Sequence, residues 1–249
     1  MLDVHCHIDQ FKKPPIVARN AETNGVLTIA VTSLPEHFKL GHPHLINFKY
    51  VRLALGFHPM LVGKNMFDEN LFRSLAVKTS YIGEVGLEFS EKDKSIRQSQ
   101  IDVLDKIFKI VNDRPRFISL HSRKAEKCLF DILTDHKIKK AVFHWYSGPL
   151  NLIDKIVSAE HFFSINPAMV KSKNGQKIIE RIPADRILTE SDGPYVTTKG
   201  KPVEPKDVRL VIEYLKTIWD KSFDETDKIV QRNFKTIISN LANVKRSAP

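Results

Sequence analysis

The stretch Leu2-Asp3-Val4-His5-Cys6-His7-Ile8-Asp9 begins as an apolar run and ends on two histidines two residues apart. A run this short suits a β-strand. Residues i and i+2 of a strand face the same side, so His5 and His7 can reach one ion together while Cys6 points away. Two histidines facing one way inside a fold are costly without a ligand or hydrogen-bond partners. The pair therefore reads as metal-binding, against the plainer alternative of two polar residues at a strand end.

The same unit recurs along the chain: a short apolar run, then a helical pattern. The runs cover residues 2–6, 26–31, 50–55, 81–85, 116–120, 141–143, 161–165 and 186–189. They are rich in Val, Ile, Phe and Leu. Between or after them, residues 95–112 put Ile96, Leu104, Ile107, Phe108 and Val111 on one stripe. Residues 205–219 do the same with Val208, Val211, Ile212, Leu215 and Trp219, and Pro205 suits a first helical turn. Eight strands alternating with helices predict an α/β fold with a parallel sheet. Eight such units in 249 residues predict a closed (β/α)8 TIM barrel occupying residues 1–249 as one domain.

Chemistry gathers at the ends of these runs. Gly83-Glu84-Val85-Gly86-Leu87-Glu88 embeds a carboxylate in an apolar strand, and a buried Glu is expensive unless paired or metal-bound. The flanking glycines would let a ligand or a neighbouring backbone come close. Glu88 shares parity with Glu84 but lies further out, as a weaker candidate. His121 follows the fifth run and His144 the sixth, while Asp192 follows the eighth in a segment whose Asp-Gly-Pro is also good turn chemistry. A barrel brings such ends to one mouth, where active sites of this fold gather. Imidazole and carboxylate donors without thiolate suit Zn, Mn, Fe, Ni or Mg, and a shared carboxylate can bridge two ions.

Bulk properties narrow the classes. Only Cys6 and Cys128 are present, with no CxxC pair, which argues against a zinc ribbon or a disulfide framework. The opening residues carry no basic segment or long apolar stretch, so no signal peptide is expected, and no run approaches the length of a membrane span. A cytoplasmic location and no membrane partner follow as expectations. The formal net charge of +10 favours a polyanion, most commonly nucleic acid, although the basic residues are spread along the chain apart from Lys245-Arg246.

With these residues assembled, the chain resembles the TatD family of metal-dependent deoxyribonucleases, within the amidohydrolase-like barrels. The matching motifs run from His5-Cys6-His7-Ile8-Asp9 to Arg232-Asn233-Phe234. Between them stand Gly56-Phe57-His58-Pro59, Gly83-Glu84-Val85-Gly86-Leu87, Leu120-His121-Ser122-Arg123, Val142-Phe143-His144-Trp145-Tyr146-Ser147-Gly148 and Thr189-Glu190-Ser191-Asp192-Gly193-Pro194-Tyr195. The resemblance implies two divalent ions (Mg, Mn or Zn). His5, His7 and Asp192 would hold one, His121 and His144 the other, and Glu84 would bridge them. It implies substrate contacts from His58 and Arg123. Departures cluster around the pocket: Glu88-Phe89 replaces the usual Asp-Tyr, Trp145 a common Cys and Gly193 a frequent Ala. Ser164-Ile165-Asn166-Pro167 lacks a usual glycine turn, and the loop after Tyr195 is short.

The expectation is a hydrolase that cuts phosphodiester bonds of DNA, rather than RNA, at strand ends or in single strands. Glu84 and Asp192 would be its catalytic carboxylates, with Asp192 accepting the proton from the attacking water. The same residues allow a hydrolase of another ester, such as an aminoacyl ester, lactone or small phosphoester. They also allow a nuclease subunit active only with protein partners in a larger DNA-processing or defence complex, or a nucleic-acid binder without chemistry.

Overall fold

A computed structural model describes residues 1–90, 93–239 and 241. The Lys245-Arg246 pair lies outside the described residues. Eight parallel strands appear in chain order: β1 (Leu2–Cys6), β2 (Leu27–Ala30), β3 (Val51–Leu53), β4 (Tyr81–Gly86), β5 (Phe117–His121), β6 (Val142–His144), β7 (Phe162–Ile165) and β8 (Ile187–Thr189). Strands β1 to β3 form one ladder and β4 to β8 a second, each strand pairing with its sequence neighbour.

Backbone contacts close the two ladders into a barrel. At one seam, Leu55 pairs with Ile82, its N–H donates to Tyr81 O at 3.0 Å, and Gly83 N–H donates to Leu55 O at 2.8 Å. At the other seam, Asp192 N–H donates to His5 O at 2.9 Å and His7 N–H donates to Gly193 O at 2.8 Å. Ser191 adds its N–H to Asp3 Oδ1 at 2.9 Å and its hydroxyl to Asp3 Oδ2 at 2.6 Å. Closure leaves the eight-stranded sheet without a free edge.

Helices cover the barrel: α1 (Pro14–Thr23), α2 (Pro35–Leu45), α3 (Glu69–Ala76), α4 (Lys94–Val111), α5 (Glu126–Asp135), α6 (Leu150–Ser158), the pair α7 (Pro167–Lys171) and α8 (Lys173–Arg181), then α9 (Arg209–Trp219) and α10 (Phe223–Ile238). None among the described residues is long and apolar enough to cross a membrane. The single helix expected over 205–219 is a 3-10 turn (Pro205–Val208) leading into α9. Glu204 and Asp207 cap that turn reciprocally, which satisfies its first amides in the tighter geometry.

Strand β1 is buried on both faces, as parallel barrel strands are. Its apolar face belongs to the layer between sheet and helices, where Cys6 packs with Val17, Ala18 and Ala21 of α1. Its polar face, Asp3 and His5, points into the barrel toward Ser191 and Ser119. Asn233 of α10 donates to Ala184 O and Ile187 O, both at 2.8 Å, tying the last helix to the foot of β8.

Candidate metal centre

Glu84 sits near the top of β4, 1% exposed, and five imidazoles converge on it. Nε2 of His7, His58 and His5 stand 3.1, 3.3 and 3.5 Å from Oε2. Nδ1 of His121 and Nε2 of His144 stand 2.6 and 3.1 Å from Oε1. The glycines beside Glu84 make this possible. Gly86 has φ +144, and a Cβ there would lie 2.0 Å from His121 O; at Gly83, φ is +147 and a Cβ would meet Ser119 at 2.9 Å. Only glycine lets β5 come close enough to bring His121 to Glu84.

Asp192 completes the cluster from the loop after β8, with its Oδ1 3.7 Å from His5 Nε2 and 3.8 Å from His7 Nε2. Its φ is +47, the left-handed region that Asp tolerates better than most residues. All six predicted ligands thus lie in one cluster. Asp192 Oδ1 and His7 Nδ1 are buried with no hydrogen-bond partner.

The donor spacing fits metal ions. Two donors each about 2.0–2.1 Å from one tetrahedral ion stand about 3.3–3.4 Å apart. His5 Nε2 and His7 Nε2 face each other at 3.2 Å, and each is within 3.5 Å of Glu84 Oε2. An orphaned buried carboxylate oxygen beside ring nitrogens aimed at one another is what a cation would reconcile. Three donor sets each span no more than 4.8 Å: His5, His7 and Glu84; His5, His144 and Asp192; His58, Glu84 and His121. His144 therefore groups with His5, on which its ring stacks at 3.9 Å, as well as facing His121 across 5.7 Å.

His58 differs from the other imidazoles. Met60 N–H donates to its Nδ1 at 3.1 Å, so a neutral His58 carries its proton on Nε2, the atom facing Glu84. It presents an N–H to the site, not a lone pair. Burial also lowers its pKa, which favours the neutral form.

His5, His121 and His144 are oriented by Ser119, Glu88 and Glu190, of which only Glu88 stood out in the sequence, as a weaker candidate. Ser119 Oγ is 2.7 Å from His5 Nδ1. Glu88 Oε2 is 2.9 Å from His121 Nε2, leaving Nδ1 for the centre. Glu190 Oε1 is 3.4 Å from His144 Nδ1. Glu190 is itself fully buried, accepting from Ser164 Oγ, from Asn166 Nδ2 at 2.9 Å and from Trp145 N–H at 3.1 Å. A carboxylate on the far nitrogen of a ligating histidine fixes its tautomer and raises its basicity. Parity offered a signal: Ser119 and His121 alternate on β5, and Ser164 and Asn166 alternate from β7.

Charge in the cluster is strongly coupled. Burial pushes the Glu84 carboxyl up, but the imidazoles of His58, His144, His121 and His5 outweigh it and hold it well below the usual range. Burial lowers His144, yet Glu190 and Glu84 more than reverse this and raise it well above ordinary; His7 and His121 are raised in the same way by Glu84 and its neighbours. For His5, burial and the adjacent His144 win and the pKa falls. Burial pushes the Asp192 carboxyl up to about 7. Hydrogen bonds from His121 and Ser90 outweigh burial at Glu88 and bring it to about 2.

A cavity of about 780 Å³ opens above the cluster. Glu84 and Asp192 are the only acidic side chains among its described lining residues, and His58, Arg123 and Lys64 also line it. Arg123 thus stands at the cavity, where the resemblance puts it. Arg123 and Ser147 also line a second hollow beside it, with Lys124.

A closed (β/α)8 barrel whose strand ends carry His, Glu and Asp around one mouth offers the donor set of a metal-dependent hydrolase. Residues 2–239 match the model of the TatD related DNase family, and the chain belongs to that family. It is 28% identical to an uncharacterized metal-dependent hydrolase of Methanocaldococcus jannaschii, covering 93% of this chain and 94% of that one. It is 24% identical to human deoxyribonuclease TATDN3, covering 94% and 92%. The crystal structure of a TatD homolog from Escherichia coli superposes with a TM-score of 0.80 at 22% identity, covering 95% of this chain and 97% of that one.

Proposed function

We propose that this hydrolase cleaves phosphodiester bonds of DNA, acting on single strands or strand ends with two divalent ions at Glu84. The observation that carries the reading is the Glu84 carboxylate ringed by imidazoles at the floor of a cavity also lined by Arg123 and Lys64. Such a cavity suits a phosphate: cationic donors at the wall, metal donors below. At about 780 Å³ it has the size of a small-ligand pocket, which favours a nucleotide or two of unpaired strand over intact duplex. The +10 net charge favours a polyanion. The free thiols of Cys6 and Cys128 suit a reducing cytoplasm.

His5, His7, Glu84, His121, His144 and Asp192 would hold the ions. Bound divalent cations supply water activation at neutral pH and neutralise charge on the phosphate. The protein does the rest. Asp192, whose Oδ1 is buried at the centre without a hydrogen-bond partner, would be placed to take the proton of the attacking water. His58 donates its Nε2–H to a phosphoryl oxygen, and Arg123 offers a planar cationic fork to the neighbouring phosphate. Ser119, Glu88 and Glu190 hold His5, His121 and His144 in the tautomer that leaves a lone pair at the centre.

The test is cleavage of end-labelled single-stranded and duplex DNA and RNA by protein reconstituted with Mg, Mn or Zn, beside Glu84→Ala and Asp192→Asn. Single-stranded DNA should be cut fastest, and both variants should be inactive. Protein that leaves every strand intact while hydrolysing carboxylic esters would shift the reading to another ester.

A further inference from the structure

Two large aromatic side chains stand at the mouth of the cavity without any part in holding a cation. Trp145 follows His144 directly and is 37% exposed; Tyr195 lies beyond Asp192 and is 59% exposed. Both line the cavity above Glu84. They rise from strand ends two places apart on the rim, Trp145 from the end of β6 and Tyr195 from the loop after β8. Tyr195 meets the His7 ring edge-on, with centroids 5.0 Å apart.

Trp145 is held outward at a cost. Its φ of +38 is in the left-handed region, which a bulky residue seldom adopts. Its N–H donates to Glu190 Oε1 at 3.1 Å, and Glu190 is anchored in turn by Ser164 and Asn166. The buried network that orients His144 thus also fixes the backbone that presents the indole. An exposed aromatic on a rigid, strained backbone beside a reactive centre is a feature that folding alone does not call for.

The neighbours indicate what the rings contact. Met60, 52% exposed, and Leu61 extend the apolar wall, while Arg123 and Lys64 supply positive charge on the same cavity. Aromatic faces interleaved with cations above a phosphate-sized centre match the pattern of single-strand recognition, in which bases stack and the backbone is neutralised. Every base has a π-face, so such a wall tolerates any sequence.

We propose that Trp145 and Tyr195 form a stacking site for the unpaired nucleobases that flank the scissile phosphate. The proposal rests on the phosphodiesterase reading and adds that the substrate is recognised through its bases as well as its phosphates. Tyr195 is free to stack on its solvent side, and Trp145 sets the position of the base next to His144.

The test uses the metal-loaded full chain and single-stranded oligodeoxynucleotides carrying 2-aminopurine, a base whose emission falls when it stacks, at successive positions near either end. Binding should quench the probe. Trp145→Ala and Tyr195→Ala should each weaken binding and raise KM by about tenfold to a hundredfold, the range typical of one stacked base. Their kcat should change much less, and metal content measured by mass spectrometry should match wild type. Trp145→Phe should restore most of the binding, because it keeps a π-face. A Trp145→Ala/Tyr195→Ala double variant that quenches the probe and cuts DNA with wild-type KM overturns the stacking site and leaves the nuclease reading intact. Wild-type protein that quenches the probe through these residues but cuts no strand supports the stacking site and refutes the hydrolysis of DNA.

Discussion

Asp192→Asn should stabilise the metal-free protein while weakening its hold on the cation that Asp192 would share with His5 and His7. Asp192 is 3% exposed, its Oδ1 has no hydrogen-bond partner, and its carboxyl is pushed from an ordinary 3.8 to about 7, chiefly by burial. Between about pH 4 and pH 7 the folded chain therefore keeps a proton that the unfolded chain has released. Native stability falls as pH rises through that window and stays low above it. At roughly 1.4 kcal/mol per pH unit, the full cost above pH 7 is about 4 kcal/mol, a smaller part of which is already present at pH 5. An amide has no such cost, and Asn accepts the left-handed backbone that position 192 requires. Urea unfolding in EDTA should show the variant more stable than wild type by a margin that widens from pH 5 to pH 8. With Mn or Zn present the order should reverse, because wild type gains the binding energy of the ion at His5 and His7 that the variant largely loses. A metal-free variant no more stable than wild type at pH 8, or a margin flat with pH, would refute the idea that Asp192 is a ligand stranded without its ion.

Other consequences follow from the same geometry. Glu88→Gln removes the carboxylate that holds His121 Nε2 at 2.9 Å and should lower affinity for the ion that His121 would ligate by about 10–100-fold, read by calorimetry. Gly86→Ala should cost at least about 3 kcal/mol in chemical unfolding, because φ +144 and a carbonyl 2.0 Å from the new Cβ leave it no relaxed state. Metal uptake should release protons, since Glu84 and its neighbours raise the pKa of His7, His121 and His144 and so favour their protonated forms in the metal-free chain. Calorimetric enthalpies that do not depend on the buffer's ionisation heat would contradict this. Apparent affinity should therefore rise from pH 6 to pH 8.

The fold was legible because its signal is redundant. Eight apolar runs each announce a strand, and Ser95 to Val111 repeats its stripe over more than four helical turns. The residues of the cluster were legible as candidates because a His or Glu at the end of an apolar strand is costly unless it has a partner. What the chain order hides is contact across the barrel. Glu190 carried no signal of its own in the sequence; it is buried between His144 from β6 and Ser164 and Asn166 from β7. His58 could be placed near substrate by motif alone, but its role as donor depends on the backbone N–H of Met60 meeting Nδ1. Trp145 read as a departure from the family pattern, and only its exposure and left-handed φ give it a use. Strand ends are local properties of sequence; tautomers and shared hydrogen bonds belong to the assembled mouth.

The most direct measurement is anomalous diffraction from crystals of the protein grown with Mn or Zn. Two peaks should flank Glu84 about 3.5–4 Å apart. One should lie within bonding distance of His5, His7 and Asp192, the other within bonding distance of His121 and His144, with His58 outside both coordination spheres. No peak in the cluster, or an ion ligated by His58 through Nε2, would contradict the account of the site.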